Sequence, residues 1–196
     1  MRSYVASFRR IKFYWESICV IIQLTLPEEV SDTLKILVPL DGSKLGESAL
    51  LYLENFLQIL KPEQKTEITL LHVLTPSYRA EHAGNIQLTN PTAAQQEELA
   101  VMKKEATKYL NGAAKRLKSK GASVICTIKV RDALLSEAAE IIDNAERETH
   151  ADLIVMSTHG RHGVKRWALG SIADKVVREG NIPVLLIRAK NSASNT

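Results

Sequence analysis

At 196 residues the chain is long enough for one domain with a substantial core and too short for two full ones. Its 45% apolar and 24% charged residues match an ordinary globular composition, and a net charge of +4 with both signs interspersed gives no case for nucleic-acid binding. The two cysteines, Cys19 and Cys126, make no spaced pair and no metal motif, so free thiols in a reducing cytoplasm are expected.

The first 33 residues differ from the rest. Arg2, Arg9, Arg10 and Lys12 precede any acidic residue, and the apolar run ICVIIQLTL begins at Ile18. Those are two parts of a secretory signal, but Glu16 interrupts the approach and no small-x-small cleavage site follows before Pro27. The run is also well short of the roughly 20 residues that span a bilayer. Residues 1–33 are therefore expected to be an extension, foreign to the native chain or peripheral to a domain over 34–189, with no membrane partner.

From Leu34 short apolar runs alternate with helical patterns. KILVPL (35–40) is a strand ended by the turn signal DGS, after which Leu45, Ala49, Leu53, Phe56, Leu57 and Leu60 recur at helical spacing. Residues 66–73 form a second strand, and Pro76 to Pro91 a polar connection. Leu99, Met102, Ala106, Leu110, Ala113 and Leu117 stripe a long helix that Gly121 stops. Residues 123–130 are the third strand; Leu134, Ala138, Ile141, Ile142 and Ala145 mark the third helix. DLIVMS (152–157) is the fourth strand, Ser171 to Glu179 the last helix, closed by Gly180, and Ile182–Arg188 the fifth strand. Residues 190–196 read as a disordered tail.

This alternation predicts an α/β fold: a Rossmann-like open five-stranded parallel sheet with helices on both faces. Such sheets bind ligands beyond the carboxyl ends of the strands, where the strand order reverses. The DGS turn and the loop after strand four both lie at that edge. That loop carries Gly160, Gly163 and Gly170, three of the chain's nine glycines. Glycines let backbone N–H groups approach an anion, and Ser171 with Asp174 has the S-x-x-D form of a helix start. Orphan amides at a helix N-terminus hold phosphate, and Arg161, Lys165 and Arg166 lie close enough in sequence to neutralise it. On these residues alone the stretch reads equally as a loop that only turns the chain. No Walker motif and no G-x-G-x-x-G is present, which argues against a magnesium-assembled NTPase of the usual kind.

Ser157-x2-Gly160-x9-Gly170-Ser171 resembles the G-x2-G-x9-G-(S/T) signature of the universal stress protein family. The likeness extends to ILVPLDGS, LLHV, GSIADKVV and IPVLLIR, covering roughly Leu34 to Arg188. It implies the sheet order 3-2-1-4-5 and a stress-response protein that binds ATP, with or without magnesium, as regulation rather than catalysis. At most slow ATP hydrolysis is expected. By motif position, Asp41 meets the nucleoside, the Val73 backbone faces adenine, Met156 and Ser157 line the floor, and Pro39 belongs to the same nucleotide site. Gly160, Arg161, Gly170, Ser171 and Ile172 hold ribose and phosphates, through backbone amides and the Ser171 hydroxyl. The resemblance also implies a cytoplasmic homodimer through the 182–188 edge strand. The alternative is a ligand-free dimeric interaction module of the same fold. Two positions depart from the pattern: Ser157 replaces the first signature glycine, and Arg131-Asp132-Ala133 stands where many members have Gly and Pro.

Other residues read as structural. His159 and His162 lack carboxylate or thiol companions and belong to a loop rim rather than a metal site. His72 ends an apolar strand and fits a core histidine. Asp41 without a placed nucleophile fits ligand contact or N-capping of the next helix better than catalysis. Trp167 is expected to pack, and Cys126 to be a buried small apolar group.

Overall fold

A computed structural model describes residues 33–44, 46–60, 64–76, 92–130, 138–158 and 170–188. Expectations for residues 1–32, for the 131–133 turn, for the loop carrying His159 through Trp167, and for the tail after 188 lie outside the described residues.

The described strands are β1 (Thr33–Leu40), β2 (Lys65–Leu74), β3 (Ser123–Val130), β4 (Leu153–Ser157) and β5 (Val184–Ile187). The helices are α1 (Glu47–Ile59), α2 (Ala93–Lys118), α3 (Ala138–Thr149) and α4 (Ser171–Glu179). The strands form one parallel sheet in the order β3-β2-β1-β4-β5, as expected. The order reverses between β1 and β4. There Ile36 pairs with Leu153 and Leu37 with Ile154. Asp152 clamps the entry to that pairing: its carboxylate accepts the Lys35 amide at 2.8 Å, and its own amide donates to the Lys35 carbonyl at 2.8 Å.

Alternation along the strands divides the core into two layers. Ile36, Val38 and Leu40 of β1, Ile68 and Leu70 of β2, Val155, Leu185 and Ile187 meet Leu50 and Leu53 of α1 and Leu110 and Leu117 of α2. On the other face Leu37, Leu71, Ile154, Met156, Val184 and Leu186 meet Ala139, Ile142 and Ala145 of α3 and Ala173 and Val176 of α4. Each fully buried Leu or Ile contributes about 1.5–3 kcal/mol, so period two in the strands and 3.6 in the helices decides which way each element faces. No described helix is long and apolar enough to cross a membrane.

Local signals set the helix ends. Thr92 caps α2 in a reciprocal box: its Oγ1 accepts the Gln95 amide at 3.3 Å, and its amide donates to Gln95 Oε1 at 2.8 Å. Gly121, at φ +88°, follows that helix. The third helix begins, among described residues, at Ala138, so Leu134 lies outside its described span. It ends in a Schellman motif: Ala151 N–H donates to the Glu146 carbonyl at 3.2 Å and His150 N–H to the Arg147 carbonyl at 3.4 Å. His150 therefore holds φ +50°, a left-handed conformation that costs a residue with a Cβ about 1–2 kcal/mol. Replacing His150→Gly should raise the melting temperature by about 2–4 °C, the shift expected for roughly 1 kcal/mol in a chain of this size. Scanning calorimetry on both proteins checks it; an unchanged or lower value refutes the strain.

Candidate functional site

The carboxyl edge at the β1/β4 reversal is built from two turns. After Leu40 the chain enters Asp41-Gly42-Ser43, with Gly42 at φ +75°, a conformation open to glycine. Asp41 Oδ1 accepts the Ser43 amide at 3.0 Å and the Ser43 hydroxyl at 2.7 Å. Ser43 Oγ in turn accepts the Gly46 amide at 2.9 Å, and the Ser43 carbonyl accepts the Glu47 amide at 3.0 Å. Asp41 is thus not the N-cap of α1, as one sequence expectation had it. Gly46 holds that position without a side-chain cap. Asp41 instead fixes the turn, in the manner of an Asx-turn. Gly46 is needed for space: a Cβ there would lie 2.5 Å from Asp41 Oδ1.

The second turn follows β4. The Thr158 amide donates to the Ile187 carbonyl at 2.9 Å, and the Thr158 carbonyl accepts the Gly170 amide at 2.9 Å. The outgoing and returning ends of the signature loop are thereby pinned together on the sheet. Gly170 is the N-cap of α4, with extended φ −60° and ψ 148°, and no side chain caps the helix. The S-x-x-D signal is corrected here: Ser171 is the first helical residue, and Asp174 pairs with Arg178 Nε at 3.0 Å. The first intrahelical bond joins the Asp174 amide to the Gly170 carbonyl at 2.9 Å. The amides of Ser171, Ile172 and Ala173 therefore precede any intrahelical acceptor, at the positive end of the helix. The Gly170 amide is already donated to Thr158, so Gly170 supplies cap geometry rather than a donor.

The remaining expected residues distribute around these turns. Met156 is buried and Val73 half-buried in the α3/α4 layer, and Pro39 shares the parity of Leu37, which lies in that layer. Ser157 ends β4 half-buried, paired with Ile187. Ser171 and Ile172 are exposed. Gly160 and Arg161 lie outside the described residues. A separate groove of about 470 Å³ runs between α1 and α2, bordered by Glu47, Tyr109 and Arg116, and no expected site residue lines it. Among the described residues no group of three His, Cys, Asp or Glu is placed to hold a metal ion.

Comparison with known proteins fits this architecture. Residues 33–188 match the model of the universal stress protein family. The chain belongs to the universal stress protein family. Universal stress protein MJ0577 of Methanocaldococcus jannaschii is 31% identical over 167 residues, covering 81% of this chain and 96% of that one. The solved structure of hypothetical protein MJ0577 superposes with a TM-score of 0.65 at 28% identity, covering 81% of this chain and 97% of that one. A universal stress protein from Archaeoglobus fulgidus, solved in complex with dAMP, shares the fold with a TM-score of 0.52 at 19% identity; the match covers 79% of this chain and 98% of that one.

Within this universal stress protein, three side chains behave otherwise than their sequence context suggested, and one fits it. Cys126 is exposed on the edge strand β3, not buried. Alternation predicted burial, but an edge strand lacks a neighbour on one side. Partial desolvation still raises its thiol pKa, while the Lys118 ammonium acts against it. Asp143 and Glu146 are buried on α3, which sequence reasoning missed. The available signal was spacing: Ala139, Ile142, Asp143 and Glu146 fall at i, i+3, i+4 and i+7, a core-facing stripe. His72 is buried as expected and meets Tyr109 edge-on, with ring centroids 6.0 Å apart.

The Gly46–Asp41 contact gives a test by sign. Gly46 has helical dihedrals, so alanine is otherwise welcome there and would gain about 0.4–1 kcal/mol. Gly46→Ala should therefore destabilise the parent yet stabilise an Asp41→Ala background, as measured by urea unfolding of all four proteins. The same sign in both backgrounds would show that Asp41 is not the obstacle.

Proposed function

We propose that this chain binds an adenine nucleotide, ATP foremost and with or without magnesium, at the reversal edge, and that binding regulates its associations. The observation that carries this is the start of α4, where the amides of Ser171, Ile172 and Ala173 lie ahead of the helix's own hydrogen bonding and Thr158 anchors the cap. Several charge-assisted bonds of about 1.5–3 kcal/mol each would hold a polyphosphate there. The first turn of α1 is unlike it, because Ser43 takes up the amides of Gly46 and Glu47. In this proposal Asp41 contacts the nucleoside, Val73 faces the base, and Pro39, Met156 and Ser157 form the floor. Gly160 and Arg161 complete the phosphate loop. The dAMP found in the Archaeoglobus relative supports the adenine assignment.

Regulation is favoured over turnover because the sequence has no Walker motif and no G-x-G-x-x-G. Hydrolysis by the purified protein should stay below about 1 s⁻¹, the low end of ordinary enzymes. A cytoplasmic homodimer completes the proposal. β5 is the end strand of the sheet, so its outer backbone groups are set to pair with a second copy. Light scattering at micromolar concentration should give twice the chain mass, and a monomer would remove this part.

Proline tests the phosphate site without breaking the helix, because the first helical position tolerates it. Ser171→Pro should weaken ATP binding roughly 10- to 100-fold in calorimetric titration, the loss of one charged hydrogen bond, with little change in melting temperature. Ser171→Ala, which keeps the amide, should lose less. Equal affinity for Ser171→Pro and parent, or no adenine nucleotide binding by the parent at all, would defeat the proposal.

A further inference from the structure

Between α3 and α4 lies a pair of carboxyl groups that nucleotide binding does not use. Asp143 and Glu146 are only 9% and 5% exposed. Asp143 Oδ1 and Glu146 Oε2 are buried with no hydrogen-bond partner, while the backbone of Asn181, just beyond α4, bonds the Glu146 carboxylate. An ionised oxygen in that setting is disfavoured more strongly than a carboxyl group that keeps its proton. The surrounding charges do not compensate. Glu140 and Arg147 of α3 and Glu179 and Lys175 of α4 face Asp143, and Arg147 also faces Glu146. Lys175 is shared with other carboxylates, its Nζ lying 3.8 Å from Glu140 and 3.9 Å from Glu179.

We propose that Asp143 and Glu146 together form a proton-binding latch on the α3–α4 seam: protonated, the pair lets the two helices close, and proton release as the pH rises loosens α4. Burial first, then the Glu179 carboxylate, raises the Asp143 pKa, against Arg147 and Lys175. Burial first, then Asp143, raises that of Glu146, against Arg147 and the Asn181 bond. Asp143 acts on Glu146 through its charge, so ionisation of the first raises the cost of ionising the second. The sign follows from linkage. A folded-state pKa above the unfolded one means that the folded chain holds more protons. The associated stability is complete below the ordinary carboxylate range and disappears as the pH rises through the elevated values. Small buried anchorage makes α4 the responsive partner, because only Ala173 and Val176 of its nine residues are buried. The latch stands on these side chains whether or not a nucleotide binds.

The test compares the full chain with Asp143→Asn, Glu146→Gln and the double variant, following melting temperature from pH 5 to 9. The parent should lose stability relative to the double variant as the pH rises, and the double variant should melt about 2–4 °C higher at pH 8. Amide exchange in residues 173–179, corrected for its intrinsic pH dependence, should accelerate with pH in the parent more than in the double variant. Carboxyl carbon NMR on the parent decides the matter even if a variant folds poorly: at least one of the two groups should titrate well above the usual carboxylate range. Parallel melting curves, or both groups titrating in the ordinary range, would overturn the latch.

Discussion

A backbone hydrogen bond ties the start of α4 to the end of β4: the Gly170 amide to the Thr158 carbonyl, 2.9 Å. Thr158 is itself held by the Ile187 carbonyl, so the sheet fixes the cap and the cap fixes the helix. Without that tie α4 would be anchored by only two buried residues, and the direction of its first-turn amides would be poorly determined. A helix dipole is useful to a ligand only where its end is held still, since its effect is confined to the first turn. The same bond explains why Gly170 is a cap rather than a donor.

The DGS turn is the complementary half. There the side chain of Asp41 is spent partly on holding Ser43, and Ser43 on closing the first turn of α1. The two helix starts at the reversal edge thus have opposite characters. One has its leading amides satisfied by the chain before it, and the other begins from a bare glycine cap. The edge therefore presents a carboxylate on the β1 side and a helix start without a side-chain cap on the β4 side.

The parallel sheet and its two layers were legible in the sequence because alternating and helical periods recur along the strands and helices, whereas the strand order came from the family resemblance. The same alternation set the DGS turn and the loop after strand four at the carboxyl edge, independently of the family likeness. What stayed hidden depended on local geometry. Ser171 and Asp174 have the pattern of a capping box, yet the preceding glycine takes the cap, since the Thr158 bond sets its backbone first. Cys126 lies on an apolar strand, but burial there depends on the edge position, which periodicity does not encode. Asp143 and Glu146 were overlooked because their charge suggested solvent, although their spacing follows the apolar stripe. In each case composition indicated one environment and three-dimensional neighbours supplied another.

The clamp at the base of the reversal has a consequence for synthesis. Lys35 and Asp152 are 117 positions apart, so β1 leaves the ribosome long before the strand that covers its second side. β1, β2 and α1 can assemble early, but one edge of β1 stays bare until β4 arrives. Pairing across so long an interval is entropically expensive and slow, and a growing chain with an open central strand is prone to mispairing with its neighbours. In the growing polypeptide the strand that will form the middle of the sheet is therefore temporarily its border, and the Asp152 clamp is the contact that ends that exposure.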